Sequence, residues 1–278
     1  MVDNVDFCVL ISIYANDSPQ YLGEALQSIY LQTRLPEQVV LICDGPISIE
    51  LGNVVKKYSK LFSERGVDFT NPILKNNVGL GEALRCGVGY CSKAYIVRMD
   101  SDDLSLPSRI ADLNLFCRNN PTIDVVGTYI EEFLNVPGDL DRFRFVPLTN
   151  ENIVARIKKR NPMNHVTVCI KRKSLIAVGN YEGVLWHEDY FLWMKMVSSG
   201  LLLQNLSTVS VYVRVSGLSG RRLGRAYIKS EIGFLRACSA IGMMKIIDQV
   251  LYISPRILFR ILPSKLVDVL YNLLRKFS

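Results

Sequence analysis

The chain has 278 residues, 49% of them hydrophobic and 21% charged, a balance that supports one sizeable core and excludes a disordered protein. Its net charge of +7 is modest, and seven scattered cysteines without a C-x-x-C pair give no zinc signature and suit reduced thiols in a cytoplasmic compartment. The chain enters a strand almost at once, with neither a basic n-region nor a small-residue cleavage site, so a signal peptide is not expected.

In chain order, Asp6 to Ile13 is a continuous apolar run of the kind buried on both faces of a parallel sheet. Asn16 to Ser18 form a turn, and Pro19 opens a helix in which Leu22, Ala25, Leu26, Ile29 and Tyr30 recur at helical spacing. Gln38 to Cys43 is a second buried strand ending at Asp44-Gly45, followed by a helix from about Ile47 to Arg65 and a short strand around Val67 to Ile73. A polar turn from Lys75 to Gly79 feeds another helix, and Tyr95, Ile96, Val97 and Met99 read as the next strand. This alternation predicts an α/β unit with a largely parallel sheet. Right-handed crossovers then bring the strand C-termini, and with them Tyr14, Asp44, Asn76 to Gly79 and Asp100 to Asp103, to one edge, where open α/β sheets bind ligands.

Asp100, Asp102 and Asp103 follow the last of these strands with only Arg98 near enough to neutralise them in part. Carboxylates two apart on extended chain project to one side, so Asp100 and Asp102 can aim at a single hard divalent cation. The competing reading is an acidic turn in which Ser105 caps a helix holding Pro107 in its first turn. Gly79-Leu-Gly81 lacks the third glycine of a dinucleotide fingerprint, and no G-x-x-x-x-G-K-[ST] exists.

The chain resembles glycosyltransferase family 2. The matching residues are Ser12-Ile-Tyr14, Asp44-Gly45, Asn76-Asn-Val-Gly79, Met99-Asp-Ser-Asp-Asp103, Leu106-Pro-Ser-Arg109, Asn161-Pro-Met-Asn-His165 and His187-Glu-Asp-Tyr-Phe-Leu-Trp193. The resemblance implies a GT-A fold: a single Rossmann-like mixed, mostly parallel sheet flanked by helices, here with a C-terminal helical appendage. It implies Mn²⁺ or Mg²⁺ as cofactor, held by Asp102 on the donor diphosphate, with Asp100 at the ribose or the metal. Donor contacts fall to Tyr14, Asp44 (toward uracil), Asn76, Gly79 and Arg109. Asp189, beside Glu188, resembles the general base that takes a proton from the acceptor hydroxyl. Acids also favour helix N-termini for structural reasons, and that reading of the pair stays open.

In the second half, Asp124 to Phe133 and Arg142 to Val146 read as strands of an acceptor-side extension. Thr149 and Asn150 start a basic helix with Arg156, Lys158, Lys159 and Arg160, read as a solvated face ahead of a diphosphate-binding one. His165 to Ile170 is strand-like, and His165, Trp186 and His187 are the candidate acceptor contacts. Val209 to Val215 is a further strand. The Gly- and Arg-rich segment from Ser216 to Arg225 is either a linker or, by resemblance, a loop clamping the donor diphosphate through Arg221 or Arg222.

From Lys245 to Ser278 six cations oppose two carboxylates, a net +4 that is more than half of the chain's excess. Apolar residues recur there at helical spacing, but no stretch reaches the length of a spanning helix. Such helices lie in an anionic interface, pack on the catalytic domain, or make a dimer contact. The expected division is a catalytic domain over 1–220, with a nucleotide-binding half (1–105) and an acceptor-binding half (106–220), and a membrane-associating region over 221–278.

The expected activity is inverting transfer of a hexose, galactose before glucose, from a UDP-sugar to an undecaprenyl-diphosphate-linked GalNAc or GlcNAc. The setting is the cytoplasmic face of a bacterial inner membrane, in O-antigen or exopolysaccharide synthesis. The other classes considered are a nucleotide-sugar-binding protein without transferase activity and a nucleotidyltransferase, whose glycine-rich opening loop Ser12 to Ser18 lacks. Nucleic acid is not an expected partner, because the cations sit beside apolar stripes rather than aromatic platforms.

Overall fold

The computed structural model describes residues 5–215 and 225–261. The N-terminal half alternates as expected: β1 (Phe7–Ile13), α1 (Pro19–Tyr30), β2 (Gln38–Cys43), α2 (Ile49–Glu64), β3 (Asp68–Thr70), α3 (Leu80–Tyr90) and β4 (Tyr95–Met99). Helix α1 starts where Ser18 accepts from Tyr21 N and Pro19 takes the first turn; Ser48 caps α2 in the same way through Leu51 N. Then come β5 (Leu104–Ser105), α4 (Arg109–Asn119), β6 (Val125–Phe133), β7 (Arg142–Arg144) and α5 (Asn150–Arg156). A 3₁₀ turn (His165–Thr167) leads into β8 (Cys169–Lys171), α6 (Arg172–Ala177), α7 (Glu188–Ser198) and β9 (Leu203–Arg214). Two helices close the described chain, α8 (Arg225–Ala240) and α9 (Ile246–Ile261).

One mixed sheet runs β3-β2-β1-β4-β8-β6-β9-β5, with β7 paired to β6. Strands β1 to β4 are all parallel, whereas β8 runs antiparallel to β4 and β6. Alternation along β1 deals Phe7, Val9 and Ile11 to a core with Leu22, Leu26 and Phe62 on one face. Cys8 and Leu10 go to a core with Leu84, Phe191 and Trp193 on the other. That second core also contains Phe234 and Cys238 of α8, both fully buried, so the first C-terminal helix is part of the catalytic body.

Several boundaries differ from expectation. Leu104-Ser105 pairs with β9 as a short strand, so Ser105 caps nothing, and the next helix begins at Arg109. His165 to Thr167 form a 3₁₀ turn rather than the start of a strand. Strand β9 begins at Leu203, six residues earlier than its apolar alternation suggests. Its register with β6 shifts at Tyr129, and the inward Asn205 donates from Nδ2 to Pro147 O and Pro162 O at 2.6 and 3.1 Å.

Candidate active site

The C-terminal ends of β1, β2 and β4 converge on one edge, and local hydrogen bonds tie their loops together. After β1, the Asp17 carboxylate accepts from Tyr14 N and from Ser101 Oγ, each at 3.1 Å, joining the first loop to the acidic one. After β2, the nearly buried Asp44 accepts from Val78 N and Gly79 N at 2.7 and 3.0 Å, clasping the Asn76–Gly79 loop. Gly45 makes the clasp possible: its φ is +89°, and a Cβ there would stand 2.8 Å from Asn77 N.

At the end of β4, Arg98 is buried and forms an ion pair with Asp100. The Asp102 carboxyl is pushed up to about 6 by burial first, then by the charges of Asp100 and Asp17. Burial raises Asp103 well above the carboxylate range, helped by Asp100 and Asp102, although it accepts from Arg214 N at 2.8 Å. Arg214, at the end of β9, also donates to Asp102 O and to Glu24 (3.1 and 2.6 Å), and its guanidinium lies over Tyr21 and Phe133. It fixes the acidic loop through the Asp102 main chain and the Asp103 carboxylate.

Among the described residues no three His, Cys, Asp or Glu side chains gather closely enough to hold a metal by themselves. Asp100 and Asp102 nevertheless form an under-neutralised pair, and a divalent ion would relieve the repulsion that raises Asp102. Ions of the Mg²⁺ type commonly take one or two carboxylates and complete their shell with substrate phosphates and water. The residues present fit a cation of that kind.

Across the cleft stands the N-terminus of α7. Glu188 is pushed up to about 7 by burial, then by Asp189, with Asp100 adding to the effect. The two acidic sets are thus near enough to feel each other. Asp189 accepts from Asn161 Nδ2 at 2.7 Å. Gly81, in the first turn of α3, lets the nucleotide-side loop close on α7: a Cβ there would stand 3.0 Å from Glu188 Cβ.

A family model described as "Glycosyl transferase family 2" matches residues 8–181, which span β1 to the approach to α7. The chain belongs to glycosyl transferase family 2. It is 34% identical over 281 residues to UDP-Gal:alpha-D-GlcNAc-diphosphoundecaprenol beta-1,3-galactosyltransferase of Escherichia coli, covering 99% of this chain and 98% of that protein. It is also 34% identical to the amylovoran biosynthesis glycosyltransferase AmsE of Erwinia amylovora, covering 97% and 99%. Among solved structures, GalNAc-T7 with UDP, GalNAc and Mn²⁺ superposes with a TM-score of 0.69 at 18% identity, over 96% of this chain and 54% of that one. The architecture is accordingly the GT-A glycosyltransferase fold.

Within this family 2 enzyme, several expected site residues take other places. Arg109 is buried (1% exposed) and donates to Arg98 O and Val166 O at 2.8 and 2.9 Å, so that it braces β4. His187 is buried against Phe234 and Tyr227, not turned to the cleft. His165 bonds to Tyr181 Oη at 2.9 Å and packs edge-on to Trp193, and burial, with Arg98, holds it well below the usual imidazole range. Both histidines thus make packing and hydrogen-bond contacts within the fold, His187 buried and His165 half-buried. Trp186 is exposed at positive φ and stacks on Tyr227, leaving a ring face at the mouth beside Glu188. Tyr14, Asn76 and Gly79 sit on the exposed edge as expected, while Arg221 and Arg222 lie outside the described residues.

The residues that hold the candidate acids and that sequence reasoning missed are Asp17, Arg214 and Asn161. Asn161 alone had a signal, as the first residue of Asn161-Pro-Met-Asn-His165. Asp17 reads as a turn residue and Arg214 as one more strand position.

Proposed function

We propose that the protein is an inverting galactosyltransferase that moves galactose from UDP-galactose, in β linkage, to GlcNAc or GalNAc at the head of an undecaprenyl diphosphate. The observation that carries the reading is the opposition of Asp100 and Asp102, at the end of β4, to Glu188 and Asp189, at the start of α7, with Asp100 electrostatically coupled to Glu188. Near-full-length similarity to a galactosyltransferase acting on GlcNAc-diphosphoundecaprenol supports the choice of donor and acceptor.

In this reading the uracil meets Asp44, whose oxygens each keep a lone pair beyond the loop bonds, with Tyr14 beside it and Asn76 and Gly79 at the loop. Asp102 and Asp100 would hold Mn²⁺ or Mg²⁺, which when bound would supply Lewis-acid stabilisation of the departing diphosphate. Asp189, oriented by Asn161, takes the proton from the acceptor hydroxyl as that oxygen attacks the anomeric carbon from the face opposite UDP. One displacement inverts the centre, and no covalent nucleophile is needed. Glu188 sets the charge around the base, and Trp186 offers its ring to the acceptor sugar. The enzyme works at the cytoplasmic face of the inner membrane; no helix among the described residues is long and apolar enough to cross it.

The test is incubation with UDP-galactose and a synthetic GlcNAc-diphosphate-lipid, with and without EDTA, and an NMR reading of the new linkage. A β-galactoside formed only with divalent metal is the expected product. An α-linked product, or undiminished transfer in EDTA, would contradict the reading.

A further inference from the structure

Arg144 at the end of β7, Arg156 at the end of α5 and Arg160 in the turn after it line one small open pocket of about 50 Å³ together with Phe145 and Asn161. Arg160 N donates to Arg156 O at 3.2 Å, so the turn continues past α5 and the two arginines stand four apart on one face. Both are exposed, and neither has a carboxylate partner among the described residues. The carboxylates nearby are engaged elsewhere: Glu132 pairs with Arg142 at 2.7 Å, and Asp248 with Lys158 at 2.9 Å. Like charges at this spacing repel, and holding the exposed guanidinium groups of Arg156 and Arg160 at one hollow favours an anion there.

The pocket is joined to the reaction centre by one residue. Asn161 lines it, accepts from Arg144 Nη2 through its carbonyl at 3.3 Å, and holds Asp189 with its side-chain amide at 2.7 Å. An anion bound here therefore lies one residue away from the proposed base. On the other side, Phe143 and Phe145 are exposed and stacked, with centroids 6.0 Å apart. The turn carrying the arginines is also clamped to α9, through Lys158 to Asp248 and Arg256 to Lys159 O (2.9 Å). Ile246, Ile247, Val250 and Leu251 of α9 are exposed along one face.

We propose that Arg144, Arg156 and Arg160 form the subsite for the diphosphate of the prenyl-linked acceptor, placing its first sugar at Asp189 while the hydrocarbon chain leaves past Phe143 and Phe145. This rests on the acceptor class given under Proposed function. Three arginines offer forked donors suited to phosphate oxygens, and the pocket stands on the base side of the cleft, apart from the edge that holds Asp100 and Asp102.

The experiment compares GlcNAc-diphosphate-lipid with GlcNAc-O-lipid of the same chain, both in neutral detergent, for the wild-type protein and for the Arg156→Ala/Arg160→Ala and Arg156→Lys/Arg160→Lys pairs. The wild type should show a KM roughly tenfold or more lower for the diphosphate acceptor, and the alanine pair should erase most of that preference, the lysine pair less of it. Thermal unfolding of the variants checks that the fold is kept. Equal KM values for the two acceptors in the wild type, or an equal loss on both acceptors in the alanine pair, would overturn the subsite and leave the galactosyltransferase standing. So would a defect that appears only on phosphatidylglycerol vesicles, which would assign the arginines to lipid headgroups. A wild type that glycosylates neither acceptor would instead sink the acceptor class, and the subsite with it.

Discussion

Asn161 is the clearest case of a residue whose meaning lies in its partner. Its amide fixes one Asp189 oxygen, and replacing it frees the carboxylate to leave the attack geometry. Asn161→Ala should lower kcat roughly tenfold or more with little change in UDP affinity, measured by transfer kinetics beside UDP titration. Glu188 makes a separate prediction through pH. Its pKa of about 7, raised from 4.5, means the folded protein keeps a proton that the unfolded chain has released between those values. Stability therefore falls as pH rises through that window, and the full penalty applies above it. Glu188→Gln should raise the thermal midpoint at pH 8, by on the order of 2 kcal/mol in stability, and change little at pH 4. A loss of similar size at both pH values would contradict this origin of the shift. The candidate acids stand out in the sequence because their types and spacing suit metal and proton chemistry. Their supports were not: Arg214 reaches Asp103 from 111 positions away and Glu24 from 190, and local pattern holds no trace of either contact.

The elements carrying the nucleotide edge were legible almost to the residue, since β1, β2 and β4 are buried runs and α1 has its Ser18 cap and Pro19. The second half was harder for a physical reason. Strand β9 contains Gln204, Asn205, Ser207 and Thr208, and only tertiary partners such as Pro147 O and Pro162 O make the inward polar residue tolerable. The 3₁₀ turn at His165 likewise depends on Asn164 O accepting from Thr167 N and Oγ1. At this scale Gly45 and Gly79 separate two effects of an added methyl. Both have φ near +89°, but Gly45 also faces Asn77 N at 2.8 Å while Gly79 faces open space. Gly45→Ala should cost about 1–3 kcal/mol of strain plus the clash, and should weaken UDP binding by displacing the Asn76–Gly79 loop. Gly79→Ala should show the strain alone. Equal unfolding midpoints for the two variants would argue against the close approach.

For the whole molecule, the two helices of the region expected from residue 221 onward differ in burial. Helix α8 contributes Phe234 and Cys238 to the core, whereas α9 turns Ile246, Ile247, Val250 and Leu251 outward. A basic chain with such a face suits an anionic bilayer. Ile247→Glu/Leu251→Glu should cut sedimentation with phosphatidylglycerol vesicles severalfold at an unchanged thermal midpoint, because burying each side chain is worth roughly 1.5–3 kcal/mol. Unaltered sedimentation would give that face to another partner. The fold class was legible from alternation alone, and the cleft from where the strand ends fall. Arg156 and Arg160 were visible as a basic helix read first as a solvated face, but the pocket was not, because Arg144 joins them from β7. The most direct test of the whole account is galactose transfer by Asp189→Asn, measured beside its affinity for UDP with Mn²⁺. Transfer should fall by roughly 10³-fold with UDP bound about as tightly as by the wild type. Transfer within about tenfold of wild type would make Asp189 a helix cap and leave the reaction without its base.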